Sequence, residues 1–200
     1  MVTTETAIAT LAHGLAAMLR TPSAVADPDL TDELCALGRR WRRDNGGSRM
    51  RHVRLFHDRH QHGGLLWLPR GQATPIHDHA GSAAFSLLLD GHARIELFTR
   101  LHCRGGAAVI RDGEILHPAT AEGIWLRPYG ERTLHRVAGT DDGALLLDFQ
   151  FPPIDHRRRL FFFTQRRIAS SMRACRVLTE WELMNAAATI SAASGVTENA

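Results

Sequence analysis

Between residues 51 and 153, short apolar runs alternate with glycine-bearing turns, and this alternation constrains the fold more than any other feature. The runs span residues 53–56, 65–68, 83–89, 93–98, 107–110 and 144–149. Many short strands at such spacing are typical of a β-sandwich or a β-barrel. With 200 residues and 44% hydrophobic content, the chain is long enough for one domain with a buried core.

The segments on either side of these runs predict further elements. Residues 6–20 and 30–41 carry apolar side chains at near-helical spacing, so we expect two N-terminal helices, the second with Thr31 as a candidate N-cap. Pro22 and Pro28 place turns between them. These patterns divide the chain into an N-terminal helical segment (1–50), a barrel (51–155) and a C-terminal extension (156–200).

The C-terminal extension loses the alternation of the barrel. We expect residues 160–163 to pack against the barrel wall and the segment after them to be partly helical. Residues 186–200 are small and polar, which predicts a frayed helix followed by a disordered tail.

Charge and cysteine usage limit the partners. The net charge of +3 comes from arginine clusters that we interpret as solvated surface, because no aromatic interleaving or nucleic-acid motif accompanies them. Cys35, Cys103 and Cys175 are far apart and form no C-x-x-C pair, which indicates free thiols in a reducing compartment. No apolar run has the length of a membrane span and no leader pattern is visible. We therefore expect a cytoplasmic monomer or homodimer without nucleic-acid or membrane partners.

The stretch Gly71-Gln-Ala-Thr-Pro-Ile-His77-Asp78-His79 points to a metal site. Two histidines one residue apart on an extended segment face the same side, while Asp78 faces the other and bonds backbone or a neighbouring loop. Neutral imidazoles bind first-row divalent metals well, and three of them leave positions for substrate and oxygen. We predict that His77, His79 and the later His135 form this site. The alternative is a surface pair in a chain with 12 histidines.

Four other histidines surround a Gln-His-Gly-Gly turn. They are His52, His57, His60 and His62. We interpret them as part of a solvated hairpin rather than as a second metal site.

Two motifs around the predicted ligands resemble those of the cupin superfamily. The first is Gly71-x5-His77-x-His79 with Gly91, and the second is Pro128-x-Gly130 followed by Thr133-Leu134-His135-Arg136-Val137. More narrowly, Ile76-His-Asp-His-Ala-Gly-Ser82, Leu134-His-Arg-Val137 and Pro152-Pro-Ile-Asp155 are similar to sequences of the cysteine dioxygenase (thiol dioxygenase) family. The resemblance covers residues 51–155. It implies an all-β core, a cupin (double-stranded β-helix, jelly-roll) barrel with N-terminal helices and a C-terminal extension.

The same resemblance specifies the metal. The general cupin pattern has a glutamate a few residues after the second histidine, where this chain has Ala83 and Ala84. Its absence agrees with the three-histidine site of thiol dioxygenases and implies Fe(II) on His77, His79 and His135. Imidazole sites also accept nickel, cobalt, manganese or zinc, so the sequence leaves the metal open.

The family also holds the carboxylate of its substrate with an arginine on an early strand. The counterpart here is Arg54, with Arg51 as the second choice. A planar guanidinium binds a carboxylate through two parallel hydrogen bonds, which fixes orientation as well as charge. The alternative is that Arg54 is an exposed strand arginine.

The chain departs from the family in its second polar shell. Cysteine dioxygenases carry a Ser-His-Tyr triad before the Pro-Pro turn, and alignment on Pro152-Pro153 places Leu146, Asp148 and Gln150 there. Asp148 and Gln150 have matching parity on a strand, so both are candidates for a different polar pair in the cavity. The alternative for Asp148 is a hydrogen bond to backbone at a strand end.

The cross-link that animal members form between a cysteine and the triad tyrosine is excluded. Ala84 stands at the cysteine position, and the only tyrosine, Tyr129, lies in a Pro-Tyr-Gly turn elsewhere.

Three functional hypotheses follow from the resemblance. The first is a non-haem iron(II) dioxygenase that converts a small carboxylate-bearing thiol, cysteine or an analogue, to its sulfinic acid with O2. The second is an iron cupin oxygenase acting on a different substrate of specialised metabolism, which the loss of the triad motivates. The third is a non-catalytic cupin that binds a metal or a small molecule. Oxygen uptake with a panel of thiols distinguishes them.

Overall fold

The computed structural model describes residues 3–19, 27–126, 134–155, 157–180 and 182–184. Its elements are the helices α1 (Thr4–Leu19) and α2 (Pro28–Asn45) and the strands β1 (Arg51–His57), β2 (His62–Leu68), β3 (Ile76–His77), β4 (Ala83–Arg104), β5 (Ala107–Leu116), β6 (Gly123–Leu126), β7 (Leu134–Phe151), β8 (Leu160–Ala169) and β9 (Met172–Thr179). The predicted turn at Pro22, the Pro128-Tyr129-Gly130 segment and the predicted C-terminal tail lie outside the described residues.

The two predicted helices are confirmed, and they cover one face of the sheet. Helix α2 begins three residues earlier than its predicted cap, because Asp27 Oδ1 accepts a hydrogen bond from the Asp29 N–H at 3.0 Å. Thr31 lies inside the helix and is not the N-cap. The apolar sides of both helices pack with strand residues in one buried cluster that includes Leu15, Trp41 and Leu145. Neither described helix has the length and hydropathy of a membrane span.

Strand pairing closes most of the sheet into a ring. The sheet order is β1-β2-β7-β3-β8-β9-β5-β4-β6, and an additional pairing joins β7 to β4. Strands β7, β3, β8, β9, β5 and β4 therefore form a closed circuit, with β1–β2 and β6 as extensions. The strands β4 and β7 are the longest in this circuit, and they pair with each other over most of their length. The prediction of an all-β barrel with N-terminal helices is confirmed.

The prediction of partial helix after Phe163 is wrong for most of the segment, and among its described residues only Glu180 and residues 182–184 are helical. Residues Leu160–Ala169 and Met172–Thr179 form an antiparallel hairpin, in which β8 pairs with β3 and β9 pairs with β5. Only the inward positions of β9 near its middle are apolar and buried, Cys175 and Val177. The second half of β8 is exposed throughout, so the sequence there shows no alternation although the backbone is extended.

Alternation along β3, β7 and β8 positions the functional site. His77, His135 and Phe161 face a cavity, whereas their neighbours Ile76, Leu134 and Phe162 pack together in a separate apolar cluster. Since side chains alternate across a strand, this parity fixes which face of each strand the histidines take.

Candidate metal centre

Two of the predicted ligands are paired directly by the sheet, and the third reaches them from a turn. His77 on β3 lies opposite His135 on β7, with ring centroids 4.3 Å apart. The ring of His79 lies 4.6 Å from that of His135 and 5.4 Å from that of His77. One ligand atom from each imidazole lies within 4.8 Å of the others, so the group can hold a metal ion.

The backbone around His77 and His79 is held on both sides. The Thr74 N–H donates to the Val137 carbonyl at 2.9 Å. After His79, whose carbonyl accepts from the Ser82 N–H at 2.9 Å, the chain turns through residues with positive φ, including Gly81 at 93°. Glycine adopts this conformation without strain. The turn therefore fixes His79 although it lies beyond the end of β3.

A hydrogen bond also sets the tautomer of His77. Its Nδ1 lies 2.9 Å from the Pro75 carbonyl oxygen, which can only accept, so Nδ1 carries the proton. The other ring nitrogen, Nε2, is left as the ligand atom. Hydrogen bonds from the second nitrogen to a carbonyl are the usual way in which proteins orient metal-binding histidines.

Asp78 behaves as predicted. Its Oδ1 accepts hydrogen bonds from the backbone N–H groups of Leu160 at 2.9 Å and Ala80 at 3.3 Å. These bonds tie the histidine segment to the start of β8. Burial raises the pKa of Asp78, and the two backbone donors oppose this effect.

The imidazoles are neutral at physiological pH. Burial is the main cause that lowers the pKa of His77 and His79 well below its ordinary value, and neighbouring charges, including that of Arg159, lower it further. Burial and Arg159 lower the pKa of His135 to about 3. Metals bind the neutral form of imidazole. The donor set, its spacing and its protonation state therefore fit a first-row divalent cation.

The three histidines lie in the wall of a cavity of about 580 Å³. The predicted residues Arg54, Asp148 and Gln150 also line it. The second choice, Arg51, lies elsewhere, because its guanidinium stacks on Trp41 at 5.5 Å and donates to the Asn45 carbonyl at 3.0 Å. Arg51 and Arg54 lie three positions apart on β1, and because side chains alternate along a strand they face opposite sides.

Asp148 has a side-chain partner in the cavity. Its Oδ1 accepts a hydrogen bond of 2.5 Å from Ser86 Oγ, and the two residues are opposed across β4 and β7. The alternative prediction, a bond from Asp148 to strand-end backbone, is not what the described contacts show. Burial raises the pKa of Asp148, and the Ser86 hydroxyl, His52 and Arg159 oppose that effect.

The positions aligned with the family's triad divide into two kinds. Leu146 is buried in the apolar cluster beneath the cavity, whereas Asp148 and Gln150 reach its surface. Ala84, which aligns with the cysteine of the family's cross-link, is opposed to Gln150 across β4 and β7. Tyr129 lies outside the described residues.

The structure adds residues that the sequence analysis did not assign to the site. They are Ser86, Arg159, Phe161 and two histidines of the β1–β2 hairpin, His52 and His62. The hairpin itself was predicted, but two of its four histidines, His52 and His62, face the cavity rather than solvent alone. Their parity with Arg54 is a sequence signal for this placement. Nothing in the sequence of the arginine run distinguishes the partly buried Arg159 from the exposed Arg157 and Arg158.

One comparison with known proteins identifies a family for this chain. The PCO_ADO family model, which describes cysteine and cysteamine dioxygenases, matches residues 21–192. No curated protein matches the chain significantly.

Solved structures that are similar to parts of this chain are distant from it in sequence. They include DMSP lyase DddQ from Ruegeria pomeroyi DSS-3, with a TM-score of 0.42 and 15% identity over 72% of this chain and 91% of that one. KdgF from Halomonas sp. has a TM-score of 0.41 and 14% identity, over 56% of this chain and 87% of its own. A cupin superfamily protein from Desulfitobacterium hafniense DCB-2 has a TM-score of 0.40 and 13% identity, over 52% of this chain and 78% of its own.

Proposed function

Because this chain belongs to the PCO_ADO family, the cysteine and cysteamine dioxygenases, we propose that it oxidises a small carboxylate-bearing thiol to a sulfinic acid with Fe(II) on His77, His79 and His135. The observation that carries the proposal is the group of neutral imidazoles in the wall of a cavity that also holds arginine and aspartate side chains. In the balanced reaction, the thiol and one O2 give the sulfinic acid, and both oxygen atoms go to sulfur. No other reductant is required.

Iron(II), when bound, supplies the Lewis acidity and the redox chemistry for adding dioxygen to sulfur. The histidines contribute no charge themselves, since their low pKa keeps them neutral. Neutral ligands leave the cation's charge undiminished, which favours a thiolate over a thiol in the cavity. His77 is fixed in orientation by its bond to Pro75.

The polar side chains of the cavity orient the rest of the substrate. Among the described residues, Arg54 and Arg159 are the arginines that line it, and either guanidinium can bind a carboxylate. Asp148, hydrogen-bonded to Ser86, offers a carboxylate to a substrate amine. This arrangement suits a small molecule with both groups, such as cysteine or an analogue.

The test is oxygen uptake by the purified, iron-loaded protein with cysteine, 3-mercaptopropionate, cysteamine and mercaptosuccinate. We expect one sulfinic acid, identified by mass spectrometry, for each O2 consumed. Thiol binding without oxygen consumption would instead support a non-catalytic cupin and contradict the proposal.

A second candidate is an iron cupin oxygenase with a larger substrate. The size of the cavity favours it, because about 580 Å³ lies within the range of sites that take drug-sized ligands, about 300–1,000 Å³. Turnover of a larger thiol in the absence of turnover with cysteine would select this candidate.

A further inference from the structure

We propose that Arg159, rather than Arg54, is the residue that binds the carboxylate of the substrate. This inference rests on the proposed thiol oxidation and specifies how the same cavity selects its substrate. It concerns a side chain that the sequence analysis did not assign, outside the early strand where the resemblance places the arginine.

The position of Arg159 is fixed by backbone hydrogen bonds at the start of β8. Its N–H donates to the Asp155 carbonyl at 3.1 Å, and its own carbonyl accepts from the Glu180 N–H at 3.3 Å. The guanidinium stacks over the ring of Phe161 at 5.0 Å, and Phe161 is paired with His77 across β8 and β3. The side chain is therefore directed toward the histidines by the strand that follows it.

Arg159 places a positive charge in the wall of the cavity that also holds His77, His79 and His135. A guanidinium remains protonated in proteins. A positive charge on this wall is available to the anionic group of a small substrate that binds beside the histidines.

Arg159 also has spare hydrogen-bonding capacity. Its side chain is only 19% exposed, and Glu180 Oε2 lies 3.9 Å from its Nη1, beyond hydrogen-bond distance. Its Nε is buried without a partner among the described residues. Arg94 and Arg136 share that property at Nε, but each has an Nη2 only 2.7 Å from Glu96. Buried charges are normally paired closely, and a substrate carboxylate would complete the pairing of Arg159.

Arg54 is a weaker candidate for the same role. It is exposed, and it lies on β1, the edge strand of the sheet. Ion pairs at exposed positions are screened by water and contribute little. A guanidinium shielded from solvent binds a carboxylate more strongly and with fixed geometry.

The experiment compares two thiols that differ only in the charged group, 3-mercaptopropionate and its neutral amide, 3-mercaptopropionamide. Each is titrated anaerobically into iron-loaded protein, and the change in the iron spectrum gives a dissociation constant without turnover. The variants are Arg159→Gln, Arg159→Lys and Arg54→Gln. Arg158→Gln is the matched control, since it removes the same charge from the exposed neighbouring residue. Iron content and Tm establish that each variant is folded and loaded.

We expect Arg159→Gln to weaken binding of 3-mercaptopropionate by about tenfold or more, the range for a charged hydrogen-bonded contact, and to change binding of the amide by less than about threefold. Arg159→Lys should retain part of the preference, because lysine keeps the charge without the two-pronged geometry. Arg158→Gln should change neither constant.

Equal weakening of both ligands by Arg159→Gln would overturn the inference, because it would show an effect through the histidines alone. A result in which Arg54→Gln weakens only the binding of 3-mercaptopropionate, while Arg159→Gln does not, would overturn the inference too. Wild-type protein that shows the Arg159-dependent preference but consumes no O2 would contradict the dioxygenase proposal and leave the Arg159 assignment intact. Failure of the wild type to bind either thiol would contradict both.

Discussion

His77 and His135 are opposed across the antiparallel pair of β3 and β7, and their ring centroids lie 4.3 Å apart. The register of two strands thus sets the distance between two ligands. A slip of one residue would turn one imidazole to the opposite face. The site therefore depends on the barrel fold, and interactions that hold the strands and helices in place support it from a distance.

The contact between α2 and the sheet requires glycine at position 38. A Cβ on Gly38 would lie 2.7 Å from Cβ of Leu89 on β4. Gly38→Ala should destabilise the protein by about 1–3 kcal/mol, as overpacking of a core does. Thermal or urea unfolding measures the change.

Gly14 in α1 is the matched control, because a Cβ there meets nothing within 4 Å. Gly14→Ala should stabilise by about 0.5–1 kcal/mol through helix propensity. A similar change in both variants would contradict the packing of α2 described above.

Asp148 predicts a pH-dependent stability. Burial raises its pKa in the folded protein above the ordinary 3.8. At a pH between the pKa of the unfolded state and that of the folded state, the folded state therefore binds more protons. Stability then falls as pH rises through this window. Asp148→Asn should raise Tm at pH 7 in the metal-free protein. It should change Tm little at a pH below the ordinary aspartate pKa of 3.8. A larger gain at low pH than at pH 7 would contradict the burial of this carboxyl group.

Ser86 should matter only while Asp148 is present. Ser86→Ala removes the donor to Asp148 Oδ1, and loss of a hydrogen bond to a charged group costs about 1–3 kcal/mol. In an Asp148→Asn background the same change should cost less. Unfolding free energies of the four proteins in this double-mutant cycle give the coupling, and additive effects would show that the two side chains do not interact.

Arg42 joins α2 to the strands β4 and β7. It forms ion pairs of 2.8 Å with Asp90 and with Asp142, and it stacks over Trp67 at 5.1 Å. Arg42→Ala should destabilise by about 1–2 kcal/mol, less at high salt, because a network with a cation–π contact exceeds a single surface pair. Arg43→Ala, an exposed neighbour, should be neutral within about 0.5 kcal/mol. Equal losses in the two variants would contradict a specific role for Arg42.

The sequence predicted the parts of this molecule that depend on local periodicity and on motif. Two histidines at i and i+2 share a face because of strand geometry, and the motif around His135 identified the third. Parity also separates Arg51 from Arg54, although the sequence left both open.

The sequence could not predict features that depend on long-range pairing. Strand β9 pairs with β5 across a large separation in the chain, and the arginines at positions 173 and 176 obscure its apolar alternation. Arg159 follows two other arginines, and only the fold determines which of the three is shielded from solvent. The metal's identity, the cytoplasmic location, the lack of a nucleic-acid partner and the oligomeric state stay predictions.

The most direct test of the central claim is the iron content of His135→Ala compared with that of wild type, measured per chain after loading and desalting. His102→Ala is the control, since His102 is an exposed histidine of β4. We expect iron retention near one per chain in wild type and control, and less than about a tenth of that in His135→Ala, because removal of a ligand costs at least as much as removal of its supporting groups. Unchanged iron content in a folded His135→Ala protein would contradict the three-histidine centre.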